Sequence, residues 1–183
     1  SKGDKMYFTG FSPNETNGQE IWQAERNNSG SWSNLSLIGT PINTKYHNSI
    51  GGISEDEKTL YVNTVQSKKE NKSPISFFKK TNDTWSGPEI LNISGLGSPV
   101  GYFSFYMHPS ERILILSMQA DSTKQEDLYV CVKNESGWSA PKNLGLSVNS
   151  DGFENKMNRY VLVKSKQQIS NIKERKAQKI EFE

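Results

Sequence analysis

Three tryptophans stand at a fixed interval. Trp32, Trp85 and Trp138 are each followed by serine, and both intervals are 53 residues. Other residues recur in phase. Ile42-Asn43 and Val148-Asn149 lie ten and eleven residues after the first and third Trp. Pro88 and Pro141 each lie three residues after a Trp, where the first repeat has Leu35. A repeat of this period means one supersecondary unit that buries its apolar faces against its neighbours.

The unit is built from strands. Glu20-Ile21-Trp22, Ile75-Ser76-Phe77-Phe78 and Asp127-Leu128-Tyr129-Val130 precede the tryptophans. Upstream of those stand Lys5-Met6-Tyr7-Phe8, Lys58-Thr59-Leu60-Tyr61-Val62 and Arg112-Ile113-Leu114-Ile115-Leu116. Each run opens after a polar turn and is rich in β-branched and aromatic residues, the pattern of strands. No stretch of the repeats keeps a helical period over three turns. The complete unit is expected to hold an inner strand at 49–54, a second at 58–64, a third at 75–80 and a fourth at 85–91. A polar loop at 65–73 and a short turn at 81–83 connect them, and the next unit runs from 101 to 144. The predicted fold class is therefore all-β, a β-propeller of four-stranded antiparallel blades.

Composition agrees with thin cores and long polar loops. Counted in the usual way, roughly 37% of the chain is apolar, against about 45–50% for an average domain. Eight Phe, seven Tyr and four Trp are too many anchors for a disordered chain. With 22 Lys+Arg against 20 Asp+Glu there is no basic field for nucleic acid. The longest apolar run, Ile113-Leu114-Ile115-Leu116, is too short to cross a bilayer. Cys131 is the only cysteine, which excludes an intrachain disulfide. Ser1-Lys2-Gly3-Asp4 has neither signal-peptide character nor an initiator Met, so a processed or excised piece is expected.

Several segments carry a family resemblance. Ser54-Glu55-Asp56-Glu57-Lys58-Thr59-Leu60-Tyr61-Val62 resembles the turn-and-strand core of TolB-like, WD-repeat-like propeller blades. Asp127-Leu128-Tyr129-Val130 is similar to that family's Asp-Ile-Tyr-Val strand. Gly137-Trp138-Ser139-Ala140-Pro141-Lys142-Asn143-Leu144-Gly145, with Val148-Asn149-Ser150, resembles a pattern of such propellers in exported proteins of the Bacteroidota. The resemblance covers about residues 3–163. It departs in two places: the turn glycine is absent from Asp56-Glu57 and Ser110-Glu111, and Gly95-Leu96-Gly97-Ser98 stands where other units carry Asn43 or Asn149. What it implies is a non-catalytic scaffold or protein-interaction module of the periplasm or outer membrane. Its partners would be envelope proteins, in places beside a secretion assembly of the type IX kind. Peptidoglycan or glycan contact would come through another domain.

The chain is divided into blades over 1–163 and a basic tail over 164–183, a last-blade strand or connector. At this period it holds about 3.5 blades, whereas closed propellers have about four to eight. It is expected to begin and stop in mid-blade, with Arg159-Tyr160-Val161-Leu162-Val163 arriving early for the next strand. Part of a longer propeller is the preferred reading over a second copy closing the ring.

In an antiparallel meander, loops 10–19, 66–73 and 119–126 share one rim with the connections 39–48, 94–101 and 147–154. That long-loop rim is the candidate binding surface. Tyr46, His47, Tyr102 and Phe153 lie where inner strands begin. They either pack between blades, the favoured reading, or line the mouth of a central channel as binding residues. His47 and His108 fall on opposite rims and no third ligand is evident, so no metal is expected. No cofactor motif is present: there is no Gly-rich phosphate loop and no nucleophile elbow. A sialidase-type site would need an arginine cluster. Arg26 and Arg112 fall near the tight-turn rim, and Asn28-Ser29-Gly30-Ser31-Trp32 lacks the aspartate of an Asp-box. The chain is thus expected to be no enzyme, the alternative being a carbohydrate-binding or glycan-processing propeller. The repeated Trp are read as packing residues. The Asn-x-Ser/Thr sequons, including Asn27, Asn82 and Asn134, are read as loop composition.

Overall fold

The computed structural model describes residues 3–11, 18–64, 74–97, 99–119 and 126–149. These residues form strands and turns only, arranged in three antiparallel sheets. The first holds β1 (Lys5–Phe11), β2 (Gln19–Arg26) and β3 (Trp32–Leu37) in sequence order. The second holds β4 (Asn48–Ile53), β5 (Thr59–Thr64), β6 (Ile75–Thr81) and β7 (Thr84–Ile90). In the third, β8 (Val100–Met107), β9 (Ile113–Gln119) and β10 (Glu126–Asn134) are followed by a fourth strand in two pieces, β11 (Gly137–Trp138) and β12 (Lys142–Asn143), both paired to β10. The four strands expected between 49 and 91 thus form within one or two residues of their expected bounds. Residues 159–163 and the 164–183 tail lie outside the described residues.

Register shows how the repeat is built. Thr9 pairs with Ile21, Asn63 with Ile75 and Ser117 with Leu128. Through β1, β5 and β9 the repeat is therefore 54 residues, and Tyr7, Tyr61 and Ile115 occupy one position; from β6 to β10 it is 53. Gly3, Glu57 and Glu111 occupy another, and all three are left-handed, at φ 73, 59 and 56°. The turn keeps its conformation where the glycine is missing. Around it, Ser54 Oγ accepts the Lys58 and Thr59 amides and Asp56 accepts from Ser54 Oγ. His108 takes the place of Ser54, with Nδ1 accepting the Ser110 amide.

Alternation along β5 puts Leu60 and Val62 on one face and Tyr61 on the other, and all three are buried. The second sheet is apolar on both sides because it is covered on both sides. Tyr7, Ile21, Ile38 and Ile42 of the first sheet and its exit meet Leu60, Val62 and Phe78. On the opposite face Tyr61 and Ile75 meet Phe105, Met107, Leu114 and Cys131 of the third. Each fully buried side chain of this size contributes roughly 1.5–3 kcal/mol.

The sheets approach closely along their first strands, β4 packing on β1 and β2, and β8 on β4 and β5. Gly51-Gly52 in β4 permits this. A Cβ on Gly52 would stand 2.5 Å from the Met107 carbonyl oxygen, and one on Gly51 would run into the Phe105 ring. Polar side chains at one register position tether each following strand: the Ile50 amide donates to Thr9 Oγ1 at 3.0 Å, and Asn63 Nδ2 donates to the Phe103 carbonyl at 3.2 Å. Across the same interfaces Tyr61 Oη donates to Glu111 Oε1 at 2.7 Å. Burial, with the Glu57 charge added, pushes the Tyr7 phenol up to about 12.

The fourth strands carry the tryptophans. Trp85 packs on the cluster between the first two sheets and Trp138 on the cluster between the last two. Trp32 is 47% exposed, because no described sheet precedes the first. A basic residue lies opposite each Trp in the ladder: Arg26, Lys80 and Lys133. Lys80 Nζ lies 5.7 Å and Lys133 Nζ 6.0 Å from the facing ring centre. Registers shift between Gln23 and Glu25 and again between Phe77 and Lys79, the same place in each unit. In the third sheet the fourth strand breaks at Ser139-Ala140-Pro141. Proline is tolerated at such edge bulges because no ladder donor is required there.

Two outcomes follow. Gly52→Ala should cost about 1–3 kcal/mol of stability in a urea melt, since the nearest obstacle is backbone; an unchanged midpoint would mean that the strands are not in contact there. Glu57→Gly should raise stability by up to about 1 kcal/mol, by relieving a side chain held at positive φ.

Candidate functional site

The long-loop rim is described only in part. Residues 12–17, 65–73 and 120–125, which hold most of the three loops, lie outside the described residues, as does Phe153. What remains is the connection from β3 to β4, the one from β7 to β8, and the chain after β12.

The connection before β4 is ordered by its own asparagines. Asn43 acts as a strand partner made from one side chain: Oδ1 accepts the Ile21 amide at 2.8 Å and Nδ2 donates to the Ile21 carbonyl at 2.9 Å. The same Nδ2 also reaches the Ile38 carbonyl. Asn149 repeats the arrangement on β10, accepting the Leu128 amide at 2.9 Å and donating to its carbonyl at 3.1 Å. The in-phase residue of the middle unit is Leu96, buried between the second and third sheets. An apolar contact replaces the amide clasp at that one place. Asn48, fully buried, donates to the Thr44 and Tyr46 carbonyls and accepts from Thr44 Oγ1, which shapes the turn carrying Tyr46 and His47.

On this frame Tyr46 is 38% exposed, with Lys45 Nζ 5.4 Å from its ring centre. His47 Nδ1 accepts the Gln19 amide at 3.3 Å, which ties the start of β4 to the start of β2. Tyr102 lies inside β8 rather than before it. The register shifts between Val100 and Phe103, and Tyr102 is 40% exposed. Burial of its inner part raises the Tyr102 phenol above its ordinary value. The two tyrosines thus lie near the starts of β4 and β8, each with part of its ring exposed. Nearby, Glu126 at the head of β10 is buried, and its Oε2 has no hydrogen-bond partner among the described residues.

At the opposite rim the turns are short. Asn82 and Asp83 both take left-handed φ, 48 and 60°, and close the β6–β7 hairpin between Thr81 and Thr84. Asn27 Oδ1 accepts the Ser29 and Ser31 amides, and Asn134 Oδ1 the Ser136 amide. These three sequon asparagines are turn formers. Arg26 Nε donates to the Gly30 carbonyl on this rim. His108 stands here, at the far end of its strand from the rim of His47, so the two histidines are not brought together. Among the described residues no group of three His, Cys, Asp or Glu could hold a metal ion.

The arrangement offers aromatic faces, amide groups and the buried carboxylates Glu20, Glu126 and Asp127 around a hydrogen-bonded frame. Sequence reasoning missed the paired clasps, although Asn43 and Asn149 were visible in phase. It also missed the basic residue opposite each Trp, which recurs in the sequence at Arg26, Lys80 and Lys133. The described residues define an all-β protein of stacked, repeated antiparallel sheets, and none of its helices is long and apolar enough to cross a membrane, there being no helix among them. No family model, curated protein or solved structure matches the chain.

Asn43→Ala should destabilise the chain by about 1–3 kcal/mol, because the buried Ile21 amide loses its partner, while the Ile21 carbonyl keeps the Ile38 amide. Asn149→Ala, at a more open site, should cost less. Equal and negligible effects in chemical denaturation would remove the clasp from the account.

Proposed function

We propose that the chain is a non-catalytic β-propeller segment that presents its long-loop rim to a protein partner of the bacterial envelope. The observation that carries the reading is the exposure of two aromatic residues, Tyr46 just before β4 and Tyr102 near the start of β8, on a hydrogen-bonded frame. Tyrosine supplies large contact area at small entropic cost and is enriched at recognition surfaces. The opposite rim is shaped by tight turns whose side chains are consumed in their own hydrogen bonds, which leaves fewer groups for a partner. The propeller reading draws on the 53-residue repeat and on successive sheets packed along their first strands. The periplasmic or outer-membrane location and the TolB-like kinship rest on the sequence resemblance alone.

A second reading has one observation in its favour. Exposed tyrosine rings also stack on sugars, so a carbohydrate-binding propeller would use the same two residues.

Site-specific photo-crosslinking in the native host separates these readings. A photoreactive residue at Tyr46 or Tyr102 should capture a discrete envelope protein, and one at Asn82 on the opposite rim should not. Capture at Asn82 alone would overturn the choice of rim. Glycan binding by the purified chain that is lost in both Tyr46→Ala and Tyr102→Ala would favour the carbohydrate reading instead.

A further inference from the structure

Imidazole is the side chain whose ordinary charge change falls between about pH 5 and 8, so the bond a histidine makes decides what acid does to the fold. His47 closes the connection into β4, and its Nδ1 accepts the Gln19 amide at the head of β2. The contact joins the first sheet to the second at the long-loop rim. The donor is a backbone N–H, so Nδ1 must be bare and the proton of the neutral ring must sit on Nε2. Water can turn to suit a charged ring, whereas a backbone amide held at a strand end can only donate.

The surroundings hold the ring in place. Gly18 is left-handed at φ 89°, and a Cβ there would run into Nδ1 and Cε1 of the ring. The imidazole thus lies against the Gly18–Gln19 backbone, in room that glycine leaves. From the other side Asn48, fully buried, donates to the Thr44 and Tyr46 carbonyls and fixes the turn from which His47 projects. Among the described residues, the charged or titratable neighbours are Lys45 and Tyr46 in the same turn and Glu20 beside Gln19. Lys45 Nζ lies 5.4 Å from the Tyr46 ring centre, and Glu20 is buried. Phe11 pairs with Gln19 and Thr64 with Asn48, so the adjoining ends of β1 and β5 bring no titratable group.

Protonation puts hydrogen on both ring nitrogens. Nδ1 then meets the Gln19 amide donor to donor, and the bond is lost. The bond is present while the ring is neutral and disappears as pH falls. A second tie of β4 to the first sheet, from the Ile50 amide to Thr9 Oγ1 at 3.0 Å, has no titratable member. Acid therefore frees the turn of Tyr46 from the head of β2 while the sheets stay stacked. His108 supplies the contrast. Its Nδ1 accepts the Ser110 amide at 3.1 Å, two residues away, so its protonation disturbs one turn of the opposite rim and no contact between sheets.

We propose that the His47–Gln19 contact is an acid-released clasp on the long-loop rim, closed by the neutral ring and opened by protonation, and that it regulates the presentation of Tyr46. The regulatory half rests on the partner role proposed above; the clasp itself stands on the geometry alone.

Nuclear magnetic resonance on the isotope-labelled full chain tests the clasp without a partner. At about pH 8 the His47 ring should carry its proton on Nε2, and between about pH 8 and 5 the Gln19 amide proton should titrate with the His47 ring. The Ser110 amide should follow His108 instead. His47→Asn offers an oxygen acceptor that does not titrate, so its Gln19 amide should be insensitive to pH. A His47 proton on Nδ1, or a Gln19 amide that ignores the ring, would overturn the clasp; both readings need only the wild type, should the variant not fold. Capture from a photoreactive residue at Tyr46 should fall by roughly three- to tenfold over the same range, the equilibrium worth of one hydrogen bond. In His47→Asn, capture should hold constant. Wild-type capture that holds constant with pH would overturn the regulation. No capture at any pH would overturn the partner role, and the Gln19 titration would still decide the clasp.

Discussion

Everything in this molecule depends on the second sheet being buried on both faces. A four-stranded sheet cannot hold Leu60, Tyr61 and Val62 out of water unaided, because consecutive residues point to opposite sides. It needs a sheet on each side, and the repeat supplies them. The close approach along the first strands follows from two adjacent glycines, since any side chain at Gly52 would meet the backbone of β8. Hydrophobic burial supplies the drive, and the glycine pair sets the distance at which it acts.

Direction and register come from polar groups. Hydrophobic faces alone would let one sheet slide over the next. Thr9 and Asn63, at one register position, bond the backbone of the following first strand and define its height. The Tyr61–Glu111 bond does the same at the other end of the interface. Asn43 and Asn149 finish the strands on which they act by accepting the Ile21 and Leu128 amides, whose carbonyls are also bonded by the Ile38 and Leu144 amides. A buried backbone amide needs a partner, and one asparagine supplies both a donor and an acceptor.

Much of this was legible beforehand. Strand number, order and bounds followed from the tryptophan phase and from alternation, as did the separation of His47 from His108. Other features were not legible. Aligning the units on Lys5 and Lys58 is one residue out, because sequence similarity at a turn cannot see which residue adopts positive φ; Gly3 corresponds to Glu57. The exposure of Tyr46 and Tyr102 depends on a bulge and a buried Asn48, and neither shows as a pattern. Trp32 looks the same as Trp85 in sequence and differs only in having no described sheet before it.

The link to function is mechanical. The proposed recognition role rests on a frame in which the first strands carrying Tyr46 and Tyr102 are held by the bonds of Thr9 and Asn63. That frame stands or falls with the stacking of consecutive sheets. A double-mutant cycle on Tyr61→Phe and Glu111→Gln measures it most directly. A coupling of about 1 kcal/mol or more is expected for a part-buried bond to a carboxylate. Additive effects would mean that the second and third sheets do not meet as described.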